Sequence, residues 1–262
     1  MLPSTLNGIN RLSEQEKRRI YSQVIPRPLI DLFHLNPPEF KDEQGRDLLM
    51  VNCPAGSHTA EMALYHCFGF PDPVFYGHIT DTLNGQLHIL LYVLNNPDSP
   101  RYDVDRLPGG ASTQLGAESR NLAAELAAMQ AGLSPGQVRR GLRLLGSAIQ
   151  TFEVFVNNLG HDLYFAEPLY YHNAIIFERY GFSYEKGKKL MERIQKGFSP
   201  EGDLTGLLNN STPFRTPQAA GSIRLRSWAI HDGILGEPFT NVTMYKRVNK
   251  KFDLSTCNGC PW

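Results

Sequence analysis

The fold is decided by the stretch LYFAEPLYYHNAIIFERYGF, which comprises residues 163–182. Its first four residues are apolar or aromatic and predict a short buried strand. Pro168 stands near the start of the helix that follows, which we predict over residues 169–180, and Gly181 ends that helix. A strand that passes directly into a helix is typical of the α/β class.

A long helix is predicted just before this stretch. Ser134 and Pro135 are residue types preferred at a helix cap and at the first helical position, and Gly160 marks the other end. Apolar residues recur between them every three or four positions, so one stripe of the helix faces the core. The stripe consists of Val138, Leu142, Leu145, Ile149, Phe152, Val156 and Leu159.

A β-hairpin is predicted further upstream. The segments on both sides of Asn84-Gly85 are rich in aromatic and β-branched residues, and this dipeptide is the preferred pair for a two-residue type I′ turn. With a loop of two residues, Asp81 pairs with His88. The side chains of His78 and His88 then point to opposite faces of the sheet, which separates them as metal ligands.

The whole pattern predicts an α/β protein with a central mixed sheet flanked by helices, and a mixed α+β arrangement stays open. We expect an amino-terminal arm (residues 1–47) packed on a single α/β domain (residues 48–256), followed by a tail (residues 257–262). Further helices are predicted at residues 13–22, 59–68, 118–130 and 184–196, and further strands at residues 48–51, 223–230 and 238–246.

Composition narrows the class of protein. The chain has 262 residues, and its 26 Lys and Arg balance its 26 Asp and Glu, so no overall field attracts nucleic acid or an anionic membrane. No apolar run approaches the ~20 residues that cross a bilayer, and no apolar secretory segment opens the chain. We therefore expect a soluble cytoplasmic protein with no nucleic-acid or membrane partner, and its oligomeric state stays open.

Cysteines and histidines raise the question of a metal. Cys257 and Cys260 have a Cys-x-x-C spacing, but the two other cysteines form no second close pair, so free thiols are expected. His161, His172 and His231 stand at element boundaries in the carboxyl half, where ligands are often held. A histidine-based metal-binding protein is therefore an alternative, although no set of ligands is defined by spacing.

Residues 136–182 resemble the carboxyl half of the GNAT family of N-acetyltransferases. The resemblance rests on Arg140-Gly141 within the predicted long helix, on the strand after Gly160, and on the run Asn173-Ala174-Ile175-Ile176-Phe177-Glu178-Arg179-Tyr180-Gly181-Phe182. It implies a GNAT-like core with an amino-terminal extension, in which a pair of parallel strands parts above a helix. That helix begins at a turn that binds phosphate.

The resemblance also implies a cofactor, acetyl-CoA or another acyl-CoA, and transfer of its acyl group to an amine. The helix start and its arginines suit a pyrophosphate, and the implied binding residues are Gln137, Arg139, Arg140, Gly141 and Arg143. In the family this turn carries Arg or Gln, two spacers, Gly, a spacer, and Gly or Ala. With its first Gly at Gly141, Val138 takes the first position and Arg143 the last.

The resemblance further implies an acid and a base. Phe177 stands where many members have a tyrosine that acts as the general acid, so the candidate acids here are Tyr180 and Tyr171. The candidate bases are Glu167 and His172. No metal ligand is assigned. Phe177 also suits a further alternative, a non-catalytic small-molecule-binding domain of the same fold.

Overall fold

The strands of the computed structural model form one seven-stranded mixed sheet, which confirms the predicted α/β class. The structure describes residues 2–113, 119–257 and 259–262. The strands are β1 (Leu49–Asn52), β2 (Thr59–Leu64), β3 (Phe75–Asp81), β4 (Leu87–Leu94), β5 (Leu163–Ala166), β6 (Ser183–Lys186) and β7 (Thr243–Arg247). Their order across the sheet is β1-β2-β3-β4-β5-β7-β6.

Nine α-helices occur within the described residues. They are α1 (Leu6–Ile9), α2 (Glu14–Tyr21), α3 (Arg27–Leu32), α4 (Leu122–Gln130), α5 (Leu145–Asn158), α6 (Tyr171–Arg179), α7 (Lys188–Gly197), α8 (Asp203–Gly206) and α9 (Ile223–His231). In the same part of the chain, no helix combines the length and the apolar character needed to cross a bilayer.

The chain divides into two compact units. The first contains Met1–Asp98, Gly141–Glu167 and Tyr245–Lys251, and the second contains Ser99–Arg140, Pro168–Met244 and Phe252–Trp262. The residues predicted as an amino-terminal arm thus belong to the first unit, together with β1–β5 and α5. The residues predicted as a tail belong to the second unit, together with α4, α6 and α9.

The predicted helix at residues 13–22 is confirmed as α2, because its cap is complete. The Ser13 hydroxyl accepts a hydrogen bond from the Glu16 amide, and the Glu16 carboxylate accepts one from the Ser13 amide at 3.2 Å. This reciprocal capping box satisfies two backbone donors that a helix start otherwise leaves open. Here the local sequence alone is enough to place the helix.

The predicted hairpin is confirmed as β3 and β4, but its loop has three residues instead of two. The Thr82 amide donates to the Gln86 carbonyl at 2.7 Å, and Gly85 adopts a left-handed φ of 76°. Such a loop, a turn followed by a left-handed glycine, is the next most common hairpin connection. It shifts the pairing by one residue, so Asp81 pairs with Leu87 instead of His88.

This shift corrects the predicted separation of the two histidines. Thr80 pairs with His88, and Thr80 lies two residues from His78 on the same strand. Because side chains alternate along a strand, His78 and His88 therefore point to the same face. A β-bulge between His78 and Ile79 then restores the predicted pairing of His78 with Leu91.

Two further predictions, the helix at residues 59–68 and the strand at residues 223–230, are wrong. Strand pairing decides the first segment and helix capping the second. Residues 59–64 are the strand β2, paired on both sides, although Ala, Glu, Met and Leu favour a helix. Residues 223–231 are the helix α9, because Ser222 caps it by accepting from the Leu225 amide. The predicted helix at residues 184–196 is also shorter, because β6 precedes Gly187 and α7 follows it.

The predicted long helix begins ten residues later than expected, at Leu145 instead of Pro135. Gly136 and Arg143 adopt left-handed φ values of 76° and 58°, which an α-helix does not contain. The side chain of Gln137 folds back to accept from the Ser134 amide at 2.7 Å, so these residues form a turn. From Leu145 onward the predicted stripe holds, and Phe152 packs on Tyr164 of β5 with ring centroids 5.1 Å apart.

We predict that replacing Phe152 by Ala lowers the free energy of unfolding by about 3–5 kcal/mol, because its ring is only 2% exposed and a cavity remains. Urea denaturation measures the change. Val154→Ala is the matched control on the same helix, since Val154 is 61% exposed and we expect a change of at most about 0.5 kcal/mol. Equal effects of the two substitutions would contradict the packing of α5 on β5.

Candidate functional site

Strands β4 and β5 are parallel neighbours that pair over only part of their length. The paired residues are Leu87–Tyr164, His88–Phe165 and Ile89–Ala166, and the Glu167 amide adds a hydrogen bond to the Ile89 carbonyl at 3.1 Å. β4 continues to Leu94, beyond the end of this pairing. The β-bulge against β3 leaves out Leu90, so both irregularities occur at the same point of β4.

The start of α5 lies at the end of β4, although 50 residues separate them in sequence. Asn95 and Gly141 form an isolated β-bridge, and the Leu142 amide donates to the Leu94 carbonyl at 3.2 Å. These two contacts hold together the ends of the long segment that connects β4 to α5. The turn at residues 141–144 therefore lies in space between the end of β4 and the start of α5.

The backbone at this helix start is shaped to receive an anion. Arg143 is left-handed and Leu144 is right-handed (φ −97°, ψ 11°), which is the alternation of a backbone nest whose amides point into one concavity. Leu144 supplies no side-chain cap, and the Ala148 amide makes the first intrahelical bond, to the Leu144 carbonyl. The amides before Ala148 carry the positive end of the helix dipole.

The family pattern fits this helix start better than it fits Gly141. Arg143, Leu144, Leu145, Gly146, Ser147 and Ala148 supply Arg, two spacers, Gly, a spacer and Ala. This run is visible in the sequence. The helix was predicted to begin after Ser134, however, and the candidate phosphate turn was therefore placed at Gly141. The structure moves the candidate phosphate turn by five residues, and Arg143 changes from its last position to its first.

The other predicted phosphate residues have different partners. Arg139 is 8% exposed and donates to the Ser99 carbonyl at 2.5 Å, and the exposed Arg140 donates to the Ala131 carbonyl at 2.9 Å. Gln137 is occupied by the Ser134 amide, as described above. These three residues belong to loops of the second unit, whereas Gly141 and Arg143 belong to the turn before α5.

One face of β2–β5 is apolar and the other carries polar side chains. Tyr164 and Leu87 are completely buried on the first face, on the side where α5 packs. The second face is half-buried or exposed, and besides apolar residues such as Leu91 and Val93 it carries Glu61, Tyr76, His78, Thr80, His88, Phe165 and Glu167. We call it the polar face.

His88 lies on the polar face, near enough to Glu167 to feel its charge. The His88 ring lies against Phe165, with ring centroids 6.2 Å apart, and its Nε2 is shielded from solvent without a hydrogen-bond partner among the described residues. Burial lowers the pKa of His88, and the nearby Glu167 carboxylate offsets part of that shift. Glu167 itself is exposed. On the same face, the Tyr76 hydroxyl donates to Glu61 at 3.0 Å, and burial and Glu61 raise the pKa of Tyr76 to about 12.

The structure places the predicted acid and base residues in different units. Glu167 lies in the first unit beside His88, whereas Tyr171, His172 and Tyr180 belong to α6 and its end in the second. Tyr171 is 1% exposed, and burial raises its pKa. Tyr180 is half-buried. His88 was not among the predicted site residues, and the assumed two-residue loop had placed it on the face opposite to His78.

His172 is enclosed in the second unit. It is 3% exposed, and its Nδ1 lies 2.8 Å from the Ser227 hydroxyl on α9. Burial lowers the pKa of His172 to about 3, and the neighbouring His231 contributes in the same direction. The imidazole is therefore neutral at pH 7.

The other two candidate metal histidines also contact protein groups. His161 Nε2 lies 2.6 Å from the Ser4 carbonyl, and His231 Nε2 lies 3.0 Å from the Glu125 carboxylate. No group of three or more side chains able to hold a metal ion occurs in residues 2–113, 119–257 and 259–262.

His231 belongs to a buried network of charges in the second unit. Arg120 donates to both Glu125 and Asp232, and Arg215 also donates to Asp232 at 2.9 Å. Burial raises the pKa of Glu125, but hydrogen bonds and charge from His231 and Arg120 outweigh burial and lower it. The network links α4 to α9, so a structural role accounts for His231.

All four cysteines are free thiols. Cys257 is 7% exposed, and its sulfur accepts from Arg226 at 3.5 Å. Burial raises the pKa of Cys257 to about 11, which makes this thiol unreactive at neutral pH.

Comparison with known proteins identifies no relative. No protein-family model matches the chain, and no curated protein or solved structure is detectably similar to it.

The buried His172 generates a pH prediction. The unfolded chain binds a proton at this residue near pH 6.5 and the folded chain only near pH 3, so stability present above pH 6.5 is lost as the pH falls between these values. We predict that His172→Gln removes up to about 1.4 kcal/mol per pH unit from the slope of unfolding free energy between pH 6 and pH 4.5. Urea denaturation at several pH values measures it.

Val154→Ala is the control for this experiment, because it removes no titratable group and Val154 is 61% exposed. We expect its slope to equal that of the wild-type protein. A slope in His172→Gln indistinguishable from the wild-type slope would show that His172 titrates normally in the folded state.

Proposed function

We propose that the chain is an acyl-CoA-dependent N-acyltransferase with a GNAT-like core. One observation carries this proposal: the uncapped start of α5 follows the end of β4 and contains the run from Arg143 to Ala148. This run combines the family spacing with a backbone nest, and pyrophosphate binding at such a helix start is physically favourable.

The order of elements in the first unit supports the proposal. After β4 the chain runs through residues 95–140, which include α4, and then through the turn at residues 141–144 into α5 and into β5, parallel to β4. The turn, helix and strand follow one another in the order that the resemblance implies. Pairing between β4 and β5 stops at Ile89 because β5 ends at Ala166.

The first unit offers suitable groups along the length of an acyl-CoA. Amides at the start of α5 and the exposed Arg143 guanidinium bind the pyrophosphate. From Leu94 back to Ile89, β4 spans about 17 Å at ~3.3 Å per residue, a length that suits the extended arm between pyrophosphate and sulfur. When bound, the acyl-CoA supplies an activated acyl carbonyl and a thiolate leaving group.

The reaction requires a group that accepts the proton of the amine, and the exposed Glu167, directly after β5, is a candidate for it. Tyr180 and Tyr171 stay predictions for the acid. Phe177 favours a second candidate function, a CoA-binding domain without transfer, because its ring stacks on Phe182 at 4.9 Å and offers no proton.

Binding is tested by isothermal titration with CoA and with acetyl-CoA, supported by thermal denaturation. Ligand at 100 times its dissociation constant stabilises the protein by about 2.7 kcal/mol. If millimolar CoA produces neither a heat of binding nor a stabilisation of the protein, both candidate functions are contradicted. Binding of both ligands without release of CoA thiol from acetyl-CoA, in the presence of primary amines, would favour the non-catalytic domain.

We predict that Arg143→Ala weakens CoA binding about 10-fold or more, because a hydrogen bond to a charged group is worth about 1.5–3 kcal/mol. Titration calorimetry measures the dissociation constants. Arg140→Ala is the matched substitution three residues away, and we expect an unchanged constant because Arg140 bonds to Ala131. The reverse result would return the phosphate turn to Gly141.

A further inference from the structure

We propose that Cys257 and Cys260 form a redox modification site, at which a small disulfide compound such as oxidised glutathione converts the two thiols into an intramolecular disulfide. Both residues belong to the second unit, and the site does not depend on the proposed function. The two cysteines are free thiols in the structure, which therefore shows the reduced form of the site.

The chain bends between the two cysteines. Only two residues separate them, and one of these, Gly259, lies at a bend and adopts a left-handed φ of 74°. A left-handed glycine is typical of a tight turn, in which the Cα atoms of the first and fourth residues lie less than about 7 Å apart. A disulfide requires about 4.4–6.8 Å between the two Cα atoms. The spacing and the bend therefore suit a disulfide between Cys257 and Cys260.

Contacts on both sides of the cysteine pair hold the bend against the second unit. On one side, the Thr256 amide and hydroxyl donate to the buried Glu178 carboxylate at 2.9 and 2.6 Å. On the other side, the Pro261 carbonyl accepts from the Ile223 amide at 3.0 Å. The two thiols are thus confined to a short segment with both ends bound, which raises the effective concentration of one thiol at the other.

The two sulfur atoms differ in access and in surroundings. Cys257 is buried, and the Arg226 guanidinium donates to its sulfur at 3.5 Å, whereas Cys260 is partly exposed. Burial raises the pKa of Cys257 to about 11, and the neighbouring Cys260 adds to the rise, while Tyr171 and Arg226 act in the opposite direction. A disulfide compound in solution therefore reacts with Cys260 first, and Cys257 reacts within the chain.

The oxidation consists of two thiol–disulfide exchanges. The Cys260 thiol loses its proton to solvent, and its sulfur attacks the disulfide compound, which forms a mixed disulfide and releases one thiolate. The Cys257 thiol then loses its proton, and its sulfur attacks that of Cys260 and releases the second thiolate. Two electrons pass from the cysteines to the disulfide compound, and its two thiolates take up two protons as they become thiols.

The first exchange prepares Cys257 for the second. The mixed disulfide removes the negative charge that a Cys260 thiolate would place beside Cys257, and this charge is one of the causes that raise the pKa of Cys257. The Arg226 guanidinium stays beside the Cys257 sulfur and stabilises its thiolate. Cys257 can therefore attack within the chain although it is shielded from reagents in solution.

The test incubates the reduced full chain with oxidised glutathione and blocks the remaining thiols with iodoacetamide under denaturing conditions. Mass spectrometry then weighs the tryptic peptide of residues 252–262, which contains both cysteines. We expect this peptide to be two hydrogen atoms lighter than its reduced form and to carry neither reagent. With oxidised and reduced glutathione at about 1 mM each, more than about half of the peptide should be in this form, since linked groups reach effective concentrations in the millimolar range.

Two variants separate the exchanges. Cys257→Ser removes the thiol that displaces glutathione, so we expect a stable glutathione adduct on Cys260. Cys260→Ser should leave Cys257 without glutathione, because Cys257 is buried. Cys67→Ser is the matched control, since Cys67 is an exposed thiol outside the pair, and the disulfide should form in it as in the wild-type protein.

The wild-type measurement decides the inference even if a variant does not fold. A peptide of residues 252–262 that keeps two alkylated thiols, or that retains glutathione, overturns the disulfide site. Loss of the lighter peptide in Cys67→Ser also overturns it, because the oxidation would then pass through another cysteine. Glutathione on Cys257 in Cys260→Ser, with none on Cys260 in Cys257→Ser, overturns the order of the two exchanges.

Discussion

A single backbone contact determines where the candidate site is built. The amide of Leu142 bonds to the carbonyl of Leu94, and together with the bridge between Asn95 and Gly141 it closes the excursion that leaves the sheet after β4. The chain returns to the strand that it left, and only then enters α5. Without this closure, the start of α5 would have no fixed relation to β4.

The left-handed Arg143 follows from that closure. The chain has to turn within the few residues between Gly141 and α5. Arg143 adopts a left-handed φ of 58° in this turn, a conformation that is unfavourable for a residue other than glycine. The same conformation, followed by that of Leu144, suits a backbone nest, and the residue that adopts it carries a guanidinium. The special backbone conformation and the positive charge thus belong to one residue before the helix.

In the first unit, one face of the sheet forms the hydrophobic core and the other face carries polar groups. Tyr164, Leu87 and the rings of α5 form a core on one side, and this core holds β5 parallel to β4. The polar face is thereby free to carry groups that a core would exclude, including Glu61, His88 and Glu167. Glu61 and His88 are half-buried because they lie within the sheet, whereas Glu167 follows the end of β5 and is exposed.

The sequence by itself determined the α/β class, the helix α2, the strand β5, the helix α6 and the existence of the hairpin, because caps, glycines and periodicity act over a few residues. It also contained the run from Arg143 to Ala148, but gave no reason to prefer it. Tertiary structure alone decided that β2 is a strand, that His88 shares a face with His78, and that α5 begins at the end of β4. Each of these depends on hydrogen bonds between residues distant in the chain or on a loop of one extra residue, and no local pattern records either.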